Sequence, residues 1–321
     1  MNILVTGASG FIGNALLHRL AKEGHTVIGL YHSHQPKDEK IKNAQFIKAD
    51  ITDASFIKSF DHTIDVIYHC AAYVKDYGPK DLFYKINVEG TKQITKLAKR
   101  CNVKKFIYIS HIPYEKKNTQ NYYAHTKSLA EEYLLNKHKI ESFPVVIIRP
   151  GSVFGPGAST WVVRPLQSIA TNKIALVDHG NGVFLHTYIE NLIDALIAVL
   201  SADDIFGEYI EITDGGPKIT WNTYFNDLAA MIGKKPITRN LSKRTAKLIS
   251  YMMMGSYRLF KIKPWVTPQA VEIFTNQQEI SIQKATNLLH YQPQVSYQQA
   301  IQEIKTWVEQ NKESILSDAS K

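Results

Sequence analysis

The chain has 321 residues, 44% of them hydrophobic, enough to bury a sizeable core in one large domain or two unequal ones. Its 38 basic and 29 acidic residues give a formal charge of +9, but the lysines read as scattered over solvated faces with no aromatic-interleaved stripe, which excludes a nucleic-acid groove. No apolar run nears the ~20 residues that cross a bilayer, no leader precedes a strand expected from residue 2, and Cys70 and Cys101 lack metal-ligand spacing, so a cytoplasmic protein with reduced packing cysteines is expected.

Asn2 to Thr6 is a short apolar run of strand length, and Gly7, Gly10 and Gly13 then open a helical pattern. The spacing suits a nucleotide-binding turn. Gly7 permits a tight turn, Gly10 lets a pyrophosphate approach the backbone, and Gly13 lets the helix pack closely on the sheet. The backbone at Ser9, Phe11 and Ile12 then presents helix-start N–H groups to the negative charge. The form Thr6-Gly7-x-x-Gly10-x-x-Gly13, set between a strand and a helix, resembles the extended short-chain dehydrogenase/reductase family, also called the NAD-dependent epimerase/dehydratase superfamily.

Strands are expected over 2–6, 26–31, 45–49, 65–70, 104–110 and 144–149, with helices over 11–23, 53–60, 80–101 and 122–138. Such alternation demands an α/β Rossmann fold, a doubly wound parallel sheet with its ligand crevice at the carboxyl ends of the strands. After Arg149-Pro150, Gly151, Gly155, Pro156 and Gly157 break the pattern. The expected organisation is a dinucleotide-binding domain over 1–155, completed by parts of the later half, and an interleaved, mostly substrate-binding lobe over 156–312. A frayed polar tail over 313–321 would follow. Within the lobe, helices are expected near 161–172, 189–201, 220–232, 241–257 and 297–311, and short strands near 174–178, 183–188 and 208–213.

The second strand ends at Tyr31, where NAD-binding folds usually place an acid on the adenine ribose. No carboxylate stands there to repel a 2′-phosphate, and His32, Ser33 and Lys37 could donate to one, so NADP is favoured and NAD stays open. Asp50 and Ile51 follow the third strand, where the resemblance implies an adenine contact; a turn aspartate is the structural alternative, and Asp53 suits a helix N-cap. The fourth strand ends in Ala71 and Ala72, small enough for a ribose and pyrophosphate to lie against the backbone. With Asn87-Val88-Glu89-Gly90-Thr91, this passage resembles the 3β-hydroxysteroid dehydrogenase-like branch of the family. There the matching asparagine locks the active-site backbone and a water; for Asn87, a plain tie between two elements is the equal alternative.

Tyr123 and Lys127, four apart on a helix, share one face. A free phenol titrates near ~10, and a nearby ammonium and a positive nicotinamide ring both favour the phenolate. Lys127 would hold the nicotinamide ribose and polarise Tyr123, which would pass the proton at the substrate oxygen. Against the family's usual serine pair stand Ser110 and His111, with His111 at the position that usually faces the substrate. Neighbouring strand side chains point to opposite faces, so either His111 hydrogen-bonds the substrate oxygen, the preferred reading, or a bent strand end lets Ser110 do so, or the chemistry is impaired. The connection from Ser110 to Tyr123 is short for the family. The resemblance places Pro150 and Val153 in the loop beneath the nicotinamide carboxamide. Thr187 to Leu192 reads as structural.

Lys243 to Lys263 mixes methionines and aromatics with basic residues, which suits either a lipid-like pocket, a lid on a membrane surface, or core packing. The function expected is an NAD(P)-dependent oxidoreductase interconverting a hydroxyl and a keto group on a hydrophobic small molecule (sterol-, isoprenoid- or acyl-like). The alternatives are a nucleotide-sugar epimerase or dehydratase and a non-catalytic dinucleotide-binding sensor or assembly protein. No metal is expected; peripheral membrane contact and a homodimer are open.

Overall fold

The computed structural model describes residues 1–34, 40–113 and 121–317. In chain order the elements begin β1 (Asn2–Thr6), α1 (Phe11–Lys22), β2 (Thr26–Tyr31), β3 (Ala44–Lys48), α2 (Ala54–Ser59) and β4 (Val66–His69). There follow α3 (Lys80–Phe83), a π-helical segment (Tyr84–Gly90), α4 (Thr91–Arg100), β5 (Lys105–Ile109), α5 (Tyr122–Glu141), β6 (Val145–Pro150) and β7 (Ser152–Phe154). A second π-helical segment (Ser159–Val163) leads to α6 (Arg164–Ala170), β8 (Leu176–Val177), β9 (His186–Tyr188), α7 (Ile189–Ser201) and β10 (Tyr209–Ile212). The chain ends with α8 (Trp221–Met231), β11 (Asn240–Leu241), α9 (Lys243–Phe260), α10 (Pro268–Thr275), α11 (Gln283–Leu289) and α12 (Tyr297–Ser317).

The first compact unit comprises Met1–Pro150, Ile189–Ile212 and Ile282–Gln292. Its seven-stranded sheet, in the order β10-β6-β5-β4-β1-β2-β3, pairs parallel throughout. Strands covered on both faces read as continuous apolar runs, and Val145, Val146, Ile147 and Ile148 of β6 are fully buried. The strand near 208–213 therefore belongs to this sheet, where Tyr209↔Ile147 and Ile212↔Pro150 set its register on β6. The helix expected over 80–101 carries a π segment in its middle, which i, i+4 periodicity does not reveal.

The second unit comprises Gly151–Tyr188, Thr213–Ser281 and Pro293–Lys321. Phe154 on β7 lies at its aromatic centre, with the rings of Phe184 and Tyr188 both 5.5 Å away and that of Tyr224 at 5.8 Å. Within the tail expected over 313–321, residues 313–317 are helical, because Ile304, Val308 and Ile315 keep one buried face of α12 and Gln167 Nε2 donates to the Ile315 carbonyl at 3.2 Å; residues 318–321 lie outside the described residues. Among the described residues no helix is long and apolar enough to cross a membrane.

Candidate active site

A parallel sheet has one carboxyl edge, so the residues that follow each strand arrive there together. That edge receives Gly7 after β1, His32 after β2, Asp50 after β3, Ala71 and Ala72 after β4, Ser110 and His111 after β5, and Pro150 at the end of β6. Val153 lies on β7, in the second unit. Lys37 and the middle of the Ser110–Tyr123 connection, residues 114–120, lie outside the described residues.

Gly7 takes φ +69° and the Gly10 N–H donates to its carbonyl at 2.9 Å. A Cβ at Gly13 would stand 2.3 Å from that same carbonyl oxygen, so only glycine lets α1 start this close to the turn. Gly10 caps α1 with no side-chain hydrogen bond, and no acidic residue sits in the first turn. The first N–H groups of a helix have no partner within it, so the N-terminus of α1 fits a dinucleotide pyrophosphate.

At the other end of this half-site, His32 Nε2 is exposed and 4.0 Å from Asp50 Oδ2. Asp50 Oδ1 accepts from the Thr52 backbone N–H and hydroxyl, each at 2.8 Å. Burial pushes the Asp50 carboxyl up, but those two hydrogen bonds, with His32 and Lys85, outweigh it and hold the group below its ordinary value. Ile51 is buried. Asp53 caps α2, accepting from Ser55 N–H at 2.8 Å.

A hydrogen-bonded chain runs from the glycine turn to α5. Ala71 N–H donates to Thr6 Oγ1 at 3.1 Å, and Thr6 Oγ1 lies 2.7 Å from His69 Nδ1. His69 Nε2 is 3.0 Å from Thr91 Oγ1, whose own proton goes to the Asn87 carbonyl at 2.7 Å. Thr91 must therefore accept, which puts the His69 proton on Nε2 and makes Thr6 the donor to Nδ1. Burial lowers the His69 pKa to about 3, so this neutral tautomer is the one held. The Asn87 side chain continues the chain: Oδ1 accepts from Tyr73 N–H at 2.7 Å and Nδ2 donates to Thr126 Oγ1 at 3.0 Å. Asn87 sits in the π segment and is 1% exposed; its side chain is spent tying the loop after β4 to α5.

Asn121 caps α5, with Oδ1 accepting from Ala124 N–H at 3.0 Å. Tyr123, Lys127 and Glu131, four apart, then share one face of α5, and each meets the end of β5. Lys127 Nζ donates to the Ile109 carbonyl at 2.5 Å and lies 3.9 Å from the Tyr108 ring centroid. Burial lowers its pKa to about 7 against the pull of Cys70 and Glu131, and burial pushes the Tyr123 phenol up to about 12. The His111 ring is 5.7 Å from that of Tyr123, and its Nδ1 is buried without a hydrogen-bond partner. Burial, then the charges of Lys127 and Arg149, lower the His111 pKa to about 3. Ser110 turns the other way, its hydroxyl donating to Glu131 Oε2 at 2.8 Å, and Glu131 forms a buried ion pair with Arg149.

Glu131 and Arg149 were not singled out as site residues from the sequence, nor were Thr126 and His69. Glu131 did leave a signal, since it is the next i+4 step after Tyr123 and Lys127. The chemistry available is a phenol and an amine on one helix face, a neutral imidazole beside the phenol, and a helix N-terminus for an anion.

The sequence profile of the NAD dependent epimerase/dehydratase family matches residues 3–212, ending with the last residue of β10. The chain belongs to this family. As an extended short-chain dehydrogenase/reductase it is an enzyme, and its relatives place it with the 3β-hydroxysteroid dehydrogenase-like branch. A protein named 2-alkyl-3-oxoalkanoate reductase from Stenotrophomonas maltophilia (strain K279a) is 26% identical over 95% of this chain and 98% of its own. The sterol-4-alpha-carboxylate 3-dehydrogenase, decarboxylating, of Mus musculus is 26% identical over 93% of this chain and 88% of its own. Among solved structures, UDP-glucuronic acid 4-epimerase from Bacillus cereus in complex with NAD superposes with a TM-score of 0.74 at 26% identity, covering 97% of this chain and 99% of that one.

Proposed function

We propose that this enzyme is an NAD(P)-dependent oxidoreductase that interconverts a hydroxyl and a keto group on a hydrophobic substrate, sterol-, isoprenoid- or acyl-like. The observation that carries the reading is the convergence of Tyr123, Lys127 and His111 where α5 meets the end of β5. The relatives named as acting on oxoalkanoates and sterol carboxylates support the substrate class.

A nicotinamide dinucleotide, when bound, supplies or takes up the hydride. The glycine turn with the N-terminus of α1 would hold its pyrophosphate, Ala71 and Ala72 would line its ribose, and Asp50 and Ile51 its adenine. Tyr31 in place of an acid makes NADP the preferred form, with His32 donating to its 2′-phosphate. Tyr123 exchanges the proton with the substrate oxygen. Its phenol is costly to ionise because desolvation raises it, so a positive charge close by is required, and Lys127 is the residue on the same face to supply it. His111 donates to the substrate oxygen as a neutral imidazole, while Ser110, bound to Glu131, holds the strand end in place. A substrate of this class partitions into bilayers, so peripheral membrane contact belongs to the reading.

The solved epimerase supports a second reading, a nucleotide-sugar epimerase. The test is purified protein with NADPH or NADH and three substrate sets: 3-hydroxysteroids, 2-alkyl-3-oxo acids and UDP-sugars, read by nicotinamide absorbance and sugar analysis. Turnover of a hydrophobic member with tighter NADPH than NADH binding is expected. Tight binding and epimerisation of a UDP-sugar would replace the first reading, and cofactor binding without turnover across the panel would make the protein a sensor.

A further inference from the structure

The basic excess is not spread over the chain, as a first reading of the lysines suggests. Between Asp227 and Glu272 there is no acidic residue, while Lys234, Lys235, Arg239, Lys243, Arg244, Lys247, Arg258, Lys261 and Lys263 all fall there. These nine equal the formal charge of +9, and the other 29 basic residues balance the 29 acidic ones. The whole net charge of the protein thus sits on the segment that contains α9.

The same segment carries most of the large exposed apolar side chains among the described residues. Ala246, Ile249, Ser250 and Met253 form the inward face of α9, with Ala246, Ile249 and Met253 packing with Val266, Val271 and Phe274. On the opposite side, Leu248, Tyr251, Met252 and Leu259 are 62%, 53%, 58% and 76% exposed. At 3.6 residues per turn these four fall within one arc of roughly 100°, with Arg244 inside it at the first turn and Arg258 on its edge. Phe260, Ile262 and Trp265 extend the apolar patch beyond the helix, interleaved with exposed Lys261 and Lys263. Seven of the twelve large exposed hydrophobics among the described residues lie in this stretch. Lys243 and Lys247 are drawn inward onto Glu272, which leaves Arg244, Arg258, Lys261 and Lys263 as the cations of the outward face.

We propose that the outward face of α9 and the turn after it dock on an anionic lipid surface. An apolar stripe flanked by cations, in a segment without an acidic residue, matches the acyl boundary and the headgroups of such a surface together. A nucleic acid would meet the charge but leave Leu259, Phe260 and Ile262 in water, and a second copy of this face would bring like charges together.

The experiment is co-sedimentation of the full chain with phosphatidylcholine vesicles with and without phosphatidylglycerol, together with Trp265 fluorescence and a Trp265→Phe control. Binding is expected only with phosphatidylglycerol, weakened by salt and accompanied by a blue shift that Trp265→Phe removes. The triple variant Arg258→Ala, Lys261→Ala, Lys263→Ala should lose roughly a hundredfold in affinity, about fivefold per basic residue. Leu259→Ser with Phe260→Ser should also abolish binding, with near-wild-type thermal unfolding because both are already in water. The proposal is overturned by no binding to either vesicle, by vesicle binding that ignores the Leu259/Phe260 variant, by tighter binding to a DNA duplex than to vesicles, or by a dimer that this variant dissolves. Binding is read without cofactor or turnover, so its failure leaves the oxidoreductase reading standing.

Discussion

The Ser110 hydroxyl donates to Glu131 Oε2 at 2.8 Å, inside the buried ion pair of Glu131 with Arg149. A hydroxyl so engaged orders the end of β5, whereas the neighbouring His111 ring stands beside Tyr123. Ser110→Ala should therefore cost stability, about 1–3 kcal/mol for a buried carboxylate robbed of a donor, and leave kcat within several-fold. His111→Ala should lower kcat/KM by on the order of a hundredfold, as loss of an oxyanion donor does, with little change in melting temperature. Steady-state kinetics and thermal unfolding of the two variants check this, and a larger kinetic loss in Ser110→Ala would reverse the roles.

The glycine turn and the alternation of strands and helices were legible because each is carried by short-range pattern: Asn2 to Thr6 fits a strand, and Gly7, Gly10 and Gly13 fit one turn. Glu131 was not legible, because an isolated glutamate on a helix ordinarily belongs to a solvated face and only the fold brings Ser110 and Arg149 to it. The π segment escaped for a related reason. Asn87 within it is held by Tyr73 and Thr126, and Thr91 just after it by His69, contacts to other elements that the local sequence does not show. On α9 the composition was read but its arrangement was not, since the basic excess shows only when acids and bases are counted along the chain.

Tyr123→Phe removes the proton carrier without removing a charge or changing volume much. Turnover should fall by at least a hundredfold, while NADPH affinity by fluorescence titration stays within a few-fold. Lys127→Met should impair both, because in the proposed mechanism the amine serves the ribose and the phenol. Equal loss of cofactor affinity in the two variants would contradict the division of labour.

Gly13→Ala tests the turn. Its Cβ would sit 2.3 Å from the Gly7 carbonyl oxygen and 2.9 Å from the Gly7 carbonyl carbon, both backbone atoms that cannot swing aside. Either α1 shifts away or the turn opens. The expected outcome is loss of dinucleotide binding by thermal shift, with a destabilisation of roughly 1–3 kcal/mol from overpacking; unchanged binding would mean that the turn does not hold the pyrophosphate.

Acid sensitivity follows from the two buried histidines. His69 and His111 are held neutral with pKa values lowered to about 3 by burial, whereas each titrates near ~6.5 in the unfolded chain. Between those limits the unfolded state binds more protons than the folded one, so stability rises with pH; it is complete above about 6.5 and falls as the pH drops toward 3. Each histidine contributes a slope of up to about 1.4 kcal/mol per pH unit. His69→Gln can accept from Thr6 and donate to Thr91 without a titrating group, so its urea-unfolding midpoint should fall less steeply from pH 6.5 to 5 than that of the wild type. Parallel midpoint curves for the two proteins would show that His69 takes up its proton as readily in the folded state as in the unfolded one, with Thr6 Oγ1 accepting from Nδ1 instead of donating to it.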